Sequence, residues 1–336
     1  MIKLINKLIK NIPIICGLII LLFNSTFVCG QDPQFTQFYS NPVYLNPAFA
    51  GSNICPRLVM NYRNQWPSFS GNFITTAMSY DQKSDILSGG IGFSLMSDNV
   101  AQTLTTNNAS LVYSYHQNVT RKFSLNFGLK GTFIQKSVDV SKLTFGDMID
   151  PRRGFVYTTN DIILSEPLNI LDFSAGVLGF SENFFLGVSV HHLTEPEEAL
   201  VFNPNSTSNS FLPRRYSAHF GVEIPLKAQT QTMFADKKET LSPSILYNKQ
   251  GDFQELNVGI YYRNGNLVGG LWYRNRDSFI LTFGIETDYL RIGYSYDLTT
   301  STLSIISGGS HEVSLAFRFY CKPKKKTYRT FSCPAF

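Results

Sequence analysis

Histidines, cysteines and a recurring set of ionisable residues are the side chains in this sequence that could do chemistry. His116, His191, His192, His219 and His311 have no spacing that would gather them on a metal ion. His191 and His192 are adjacent, but neighbours on a strand face opposite sides and cannot chelate together. His219, Ser217 and Glu223 fall on one face of a period-two segment, where a base, a nucleophile and an orienting carboxylate could meet. Polar residues are also the ordinary lining of such a face. The chain has no G-x-S-x-G elbow, phosphate-binding glycine loop or calcium loop. The reading is non-enzymatic, with no catalytic residue, no metal and no cofactor.

Stepping outward to the elements, the chain after residue 56 is a succession of segments of roughly ten residues that alternate with period two. Phe123, Leu125, Phe127, Leu129 and Phe133 share one face, while Lys122, Ser124, Asn126, Lys130 and Thr132 share the other. The same holds around Tyr216 to Ile224, Leu256 to Tyr262, Leu290 to Tyr296 and Val313 to Phe319. A helix would scatter these charges around its circumference, whereas a strand puts them on one side. Fourteen such segments fit between residues 57 and 320, an even number, as a bacterial single-chain barrel requires. Their length suits a tilted strand crossing a bilayer, and aromatic pairs such as Tyr113/Tyr115, Tyr261/Tyr262, Trp272/Tyr273 and Tyr294/Tyr296 gather at segment ends. A soluble β-sandwich is the competing architecture. The expected fold is an all-β transmembrane outer-membrane barrel of about fourteen antiparallel strands, apolar outside and polar inside.

By parity Lys122, Lys130, Arg215, Glu223, Glu255, Arg263, Arg291, Asp297, Glu312 and Arg318 point into the lumen, where charges must be paired or wet. Long connections at 138–169 and 194–213 fall on the outer side of the strand count. The polar stretch 227–240 is long yet falls on the periplasmic side, against the rule.

Composition agrees with a membrane β-protein. Charged residues are only 16%, with 28 Phe and 17 Tyr, against about a quarter charged in a soluble domain. The formal charge of +5 includes Lys3, Lys7 and Lys10 of a basic-then-apolar leader at 1–30, so the remainder is too small to argue for nucleic acid. The leader is expected to be a signal peptide cleaved near Gly30. Cys16 and Cys29 would leave with it. Cys55, Cys321 and Cys333 remain, an odd count in an oxidising setting. Cys55 precedes the first strand and Cys321 follows the last, and those strands close the barrel. A disulfide from Cys55 to Cys321 or Cys333 would therefore staple the seam on the periplasmic side. A basic tail, 321–336, ends the chain.

Residues 31–56 have neither period. Asn41-Pro42 and Asn46-Pro47 interrupt any helix or ladder. Phe35, Phe38, Tyr39, Tyr44 and Phe49 are too many rings for open water, which makes 31–53, with Gln34 among its candidate contacts, the candidate plug or rim-binding segment of a lumen that side chains alone would not fill. Its motif, Gln31-Asp32-Pro33-Gln34-Phe35-Thr36-Gln37-Phe38 followed by Asn41-Pro42 and Asn46-Pro47-Ala48-Phe49-Ala50-Gly51, resembles the opening of the PorP/SprF family of the type IX secretion system of Bacteroidota. Arg63-Asn64-Gln65-Trp66, Gly293 to Asp297, Ser307 to Val313 and Cys333-Pro334-Ala335-Phe336 continue the resemblance. It implies an outer-membrane component that helps secrete or anchor a cognate surface adhesin, often one of gliding motility. The partners it implies are outer-membrane lipid, an adhesin bearing a type IX C-terminal sorting domain, and periplasmic parts of the secretion machinery. Trp66, Phe155, Tyr157 and Phe202 are loop aromatics of the sort that carry interface energy. The competing function is a channel for a small solute.

Overall fold

The structure is a computed structural model, and its described residues are 31–69, 71–150, 152–158, 166–199, 210–226, 239–300 and 308–321. The leader, Phe202, Cys333 and most of the basic tail lie outside them.

Alternating sequence becomes alternating strand. The first five barrel strands are β1 (Arg57–Gln65), β2 (Phe73–Ser84), β3 (Gly89–Val100), β4 (Leu104–Asn118) and β5 (Ser124–Val138). Next come β6 (Leu168–Phe180), β7 (Phe184–His191), β8 (Arg215–Val222), β9 (Glu239–Gln250) and β10 (Phe253–Asn264). The last four are β11 (Leu267–Arg274), β12 (Ser278–Glu286), β13 (Leu290–Thr299) and β14 (Ser310–Arg318). Each pairs antiparallel with the next, and β14 returns to β1 from Arg57↔Arg318 to Gln65↔Ser310. The sheet is thus a closed fourteen-strand barrel. Closure satisfies every edge, the condition for strands to cross lipid.

Burial runs inside out relative to a soluble protein. Leu111, Leu129 and Leu171 are 74%, 64% and 68% exposed, while Glu312, Asn126 and Asp297 are at most 2% exposed. Such a surface is stable only where lipid meets it. No helix among the described residues is long and apolar enough to cross a membrane; it is the strands, apolar on their outer face, that meet lipid. The connections after β5 and β7 leave the barrel at the end opposite the β2–β3, β4–β5 and β6–β7 turns, which makes their end the outer one, while the long β8–β9 connection leaves at the turn end.

Three sequence expectations are corrected, the third, that His191 and His192 face opposite sides, at the outer mouth of the lumen. Lys122 does not line the lumen: β5 begins at Ser124, and Lys122 is exposed in the preceding turn. Alternation holds only while the backbone stays extended, and the turn ends it. Tyr261 and Trp272 are not girdle residues but are buried, with their neighbours Tyr262 and Tyr273 facing out. Adjacent residues on a strand cannot both face lipid.

Candidate functional site

The N-terminal segment runs through the lumen, from the outer mouth at Asp32 to the periplasmic end at Gly51. Its Asn-Pro steps do not only interrupt structure. Pro42 opens one helical turn (Pro42–Leu45) and Pro47 a 3-10 turn (Pro47–Phe49). Proline fits the first helical position because that N–H is unpaired anyway. Asn46 caps the second turn, accepting from the Ala48 N–H at 2.9 Å, and donates to the Val177 and Val188 carbonyls at 3.1 Å each.

At the outer mouth the Asp32 carboxylate lies 2.8 Å from His192 Nε2 and 2.9 Å from Arg215 Nη1. The other ring nitrogen of His192 meets Asp172 at 2.9 Å. Arg215 also donates to the Tyr44 hydroxyl at 2.9 Å and stands over that ring, with Lys130 on it too and Phe35 edge-on. His192 faces the same interior as His191, against strand alternation. β7 ends at His191, and His192 adopts a left-handed φ of 58° that turns its ring back inward.

One layer down, the Glu312 carboxylate accepts the backbone N–H groups of Thr36 (2.6 Å) and Gln37 (3.0 Å). Arg63 bridges Glu312 and Asp297, and Arg274 reaches Asp297 and Glu255. Thr36 donates its hydroxyl to Asp297 at 2.7 Å. Gln37 exchanges bonds with Ser295 and Ser314. These bonds hold the segment through its backbone, with buried charges that are paired, as burial demands.

Below this lies an apolar belt. Phe38 meets Trp272 edge-on at 4.8 Å, Tyr39 meets Phe185 at 5.3 Å, and Tyr261 packs on Trp272. Phe49 stacks on His219 at 5.3 Å. The His219 ring nitrogens have no hydrogen-bond partner, so it forms no relay with Ser217, and Glu223 sits at the break after β8, its N–H donating to the Asn183 carbonyl. Strand side chains then collect the segment's carbonyls. Ser189 and His191 reach Leu45, Asn126 reaches Ala48, and Ser114 and His116 reach Ala50. The Gly51 N–H donates to Asp81, which Arg57 holds in two bonds.

Of the remaining candidates, Gln34 is half-buried, and Asn41, Pro42 and Pro47 are buried within the lumen. Arg263 and Arg318 both pair with Glu286, and Arg291 is half-buried on the same inner face. Phe155 and Tyr157 are exposed on a small outer-loop hairpin (Ile149–Asp150 with Gly154–Phe155). Trp66 is half-buried, edge-on to Phe73 and Phe69, because its left-handed backbone folds it onto the barrel rim. Cys55 and Cys321 are disulfide-bonded, their Cα atoms 5.5 Å apart. Among the described residues no group of His, Cys, Asp and Glu is placed to hold a metal ion. Sequence reasoning missed Asp32, Arg63, Asp81, Asp172 and Arg274 as site residues, and set His192 on the face opposite His191. Inward parity would have found Arg63, Asp81, Asp172 and Arg274, which share their strands' polar face.

A family model described as the type IX secretion system membrane protein PorP/SprF matches residues 28–317. No curated protein matches the chain by sequence. Among solved structures it is similar to the Pseudomonas putida toluene transporter TodX, at 9% identity over 87% of this chain and 98% of that one, TM-score 0.46. It is similar to the CymD monoaromatic hydrocarbon channel at 11% identity over 84% and 93%, TM-score 0.45. The Acinetobacter baumannii outer membrane protein Omp33 gives 7%, 80% and 100%, TM-score 0.42. Likeness this distant carries no argument about what the chain does.

Proposed function

The chain belongs to the PorP/SprF family of type IX secretion system membrane proteins, and on that premise we propose that it is a plugged, non-enzymatic outer-membrane barrel that helps secrete or hold a surface adhesin. The observation that carries this reading is the occupied lumen. A solute channel needs a continuous wet path, but here Phe38, Tyr39 and Phe49 interlock with Trp272, Phe185 and His219 across the middle of the barrel. With the interior engaged by the chain itself, partner contact falls to the outer loops, where Phe155 and Tyr157 stand in solvent. Exposed aromatics of this kind anchor interfaces.

Two measurements test it. Purified intact chain in a planar bilayer is expected to be electrically silent, and a steady open pore would favour solute transport. A photo-crosslinker replacing Tyr157, activated on intact cells, is expected to capture a secreted protein through its C-terminal domain. No crosslinked surface protein, with the barrel present at normal levels, would sink the docking role.

A further inference from the structure

The periplasmic end of the lumen holds a cavity of about 610 Å³, inside the range of ligand pockets (~300–1,000 Å³). One wall is the end of the N-terminal segment, residues 51–54, and the sides are the β2–β3 and β4–β5 turns. Its floor includes Asn126, which is 0% exposed. The Asn126 amide donates to the Ala48 carbonyl at 3.2 Å, which fixes its orientation because a carbonyl only accepts. Its Oδ1 is left buried without a hydrogen-bond partner. Orphaned buried acceptors are costly and rare in folded proteins. Asn126 is one of the residues that line the cavity.

The rim supplies charge. Lys83 and Arg121 line it, and Asp85 is the one carboxylate among the lining residues. Lys122 is exposed beside Arg121. We infer that this cavity is a binding site for an acidic peptide segment of a periplasmic protein. A peptide N–H donates to Asn126 Oδ1 while the peptide's carboxylates face Arg121 and Lys83. The chain's own residues 322–336 continue from Cys321, which is bonded to Cys55 next to the cavity wall. They carry Lys322, Lys324, Lys325, Lys326 and Arg329 and no acidic side chain, the wrong sign for this rim. The inference is independent of the outer-loop docking above, since it concerns the opposite end of the barrel.

The test uses full-length chain in detergent and a dye-labelled heptapeptide of glycine, glutamate and aspartate, with its glutamine/asparagine counterpart as control. Fluorescence anisotropy is expected to give saturable binding of the acidic probe, about tenfold tighter than the neutral one. Lys83→Glu with Arg121→Glu should weaken it at least about tenfold, and Asn126→Leu several-fold. Should Asn126→Leu fail to fold, Ser88→Trp fills the mouth from an exposed turn and must block binding on its own. Equal binding of the two peptides, no saturable binding, or binding that survives Ser88→Trp overturns the assignment. So does loss of binding on removing 322–336, which would make the tail the receptor.

Discussion

Glu312 concentrates the chemistry of the lumen in one residue. It is fully buried, accepts two backbone N–H groups from the N-terminal segment, and faces Arg63. Without its carboxylate Arg63 keeps Asp297, but the buried Thr36 and Gln37 N–H groups lose their acceptor, at a cost of about 1–3 kcal/mol each. Glu312→Ala is therefore expected to lower the unfolding free energy of the refolded barrel by that order, read as a lower urea midpoint in the heat-modifiable gel shift. Glu312→Gln keeps the shape and should lose less. A midpoint unchanged in Glu312→Ala would mean that this layer does not hold the segment. His192, just past the end of β7, gives a pH dependence. Burial opposes its charge, but Asp32 and Asp172 outweigh burial and push it up to about 9. The Asp32 carboxyl is held far below the usual range, because the His192 and Arg215 charges outweigh its burial. A pKa raised on folding stabilises fully below the unfolded value of about 6.5 and is lost as pH rises through about 9. On the acid side the Asp32 contribution is whole above its unfolded value of 3.8 and is lost progressively as pH falls below it. Bilayer recordings should thus stay silent near neutral pH and begin to flicker above about pH 9, as the outer end of the segment loosens. His192→Gln should remove that dependence. Flicker with the same alkaline midpoint in His192→Gln would place the titration elsewhere.

At the scale of elements, the strands were legible because lipid outside and water or charge inside impose strict alternation on each of them. The N-terminal segment was legible only as an aromatic stretch in need of walls. Its path could not be read, since one-turn elements such as Pro42–Leu45 have no period and take their shape from the barrel around them. Lys122 failed because parity says nothing of where a strand starts. His192 failed because a single left-handed residue resets the face. The barrel's own glycines disclose the path. A methyl added at Gly128 would overlap the Ala48 and Pro47 backbone, and one at Gly90 the backbone of Ala50 and Gly51. These positions are bare so that two backbones can lie against each other. Gly128→Ala should leave the barrel folded but unseat the segment, seen as new openings in bilayer recordings. Gly131→Ala is the control, for its methyl faces outward with the Phe173 ring at 3.7 Å. Equal silence in both variants would show that the segment yields to a methyl without leaving the lumen.

The whole molecule depends on which solvent touches the outer face, and one substitution separates lipid from water. Leu129 sits midway along β5, 64% exposed, beside the inward and buried Lys130. On a water-facing sheet, Leu129→Arg would be nearly neutral, since exposed surface changes usually fall within about ±0.5 kcal/mol. On a lipid-facing sheet at mid-depth, arginine costs about 2–4 kcal/mol, falling toward zero near the interfaces. Leu129→Arg should then destabilise the barrel in phospholipid vesicles by that amount. Thr105→Arg, near the outer end of β4, should be close to neutral. The contrast between the two depths carries the weight, because a packing defect in either strand would not follow depth. A Leu129→Arg chain as stable as its parent in vesicles would put water, not lipid, against the apolar face, and the inside-out barrel would lose its basis.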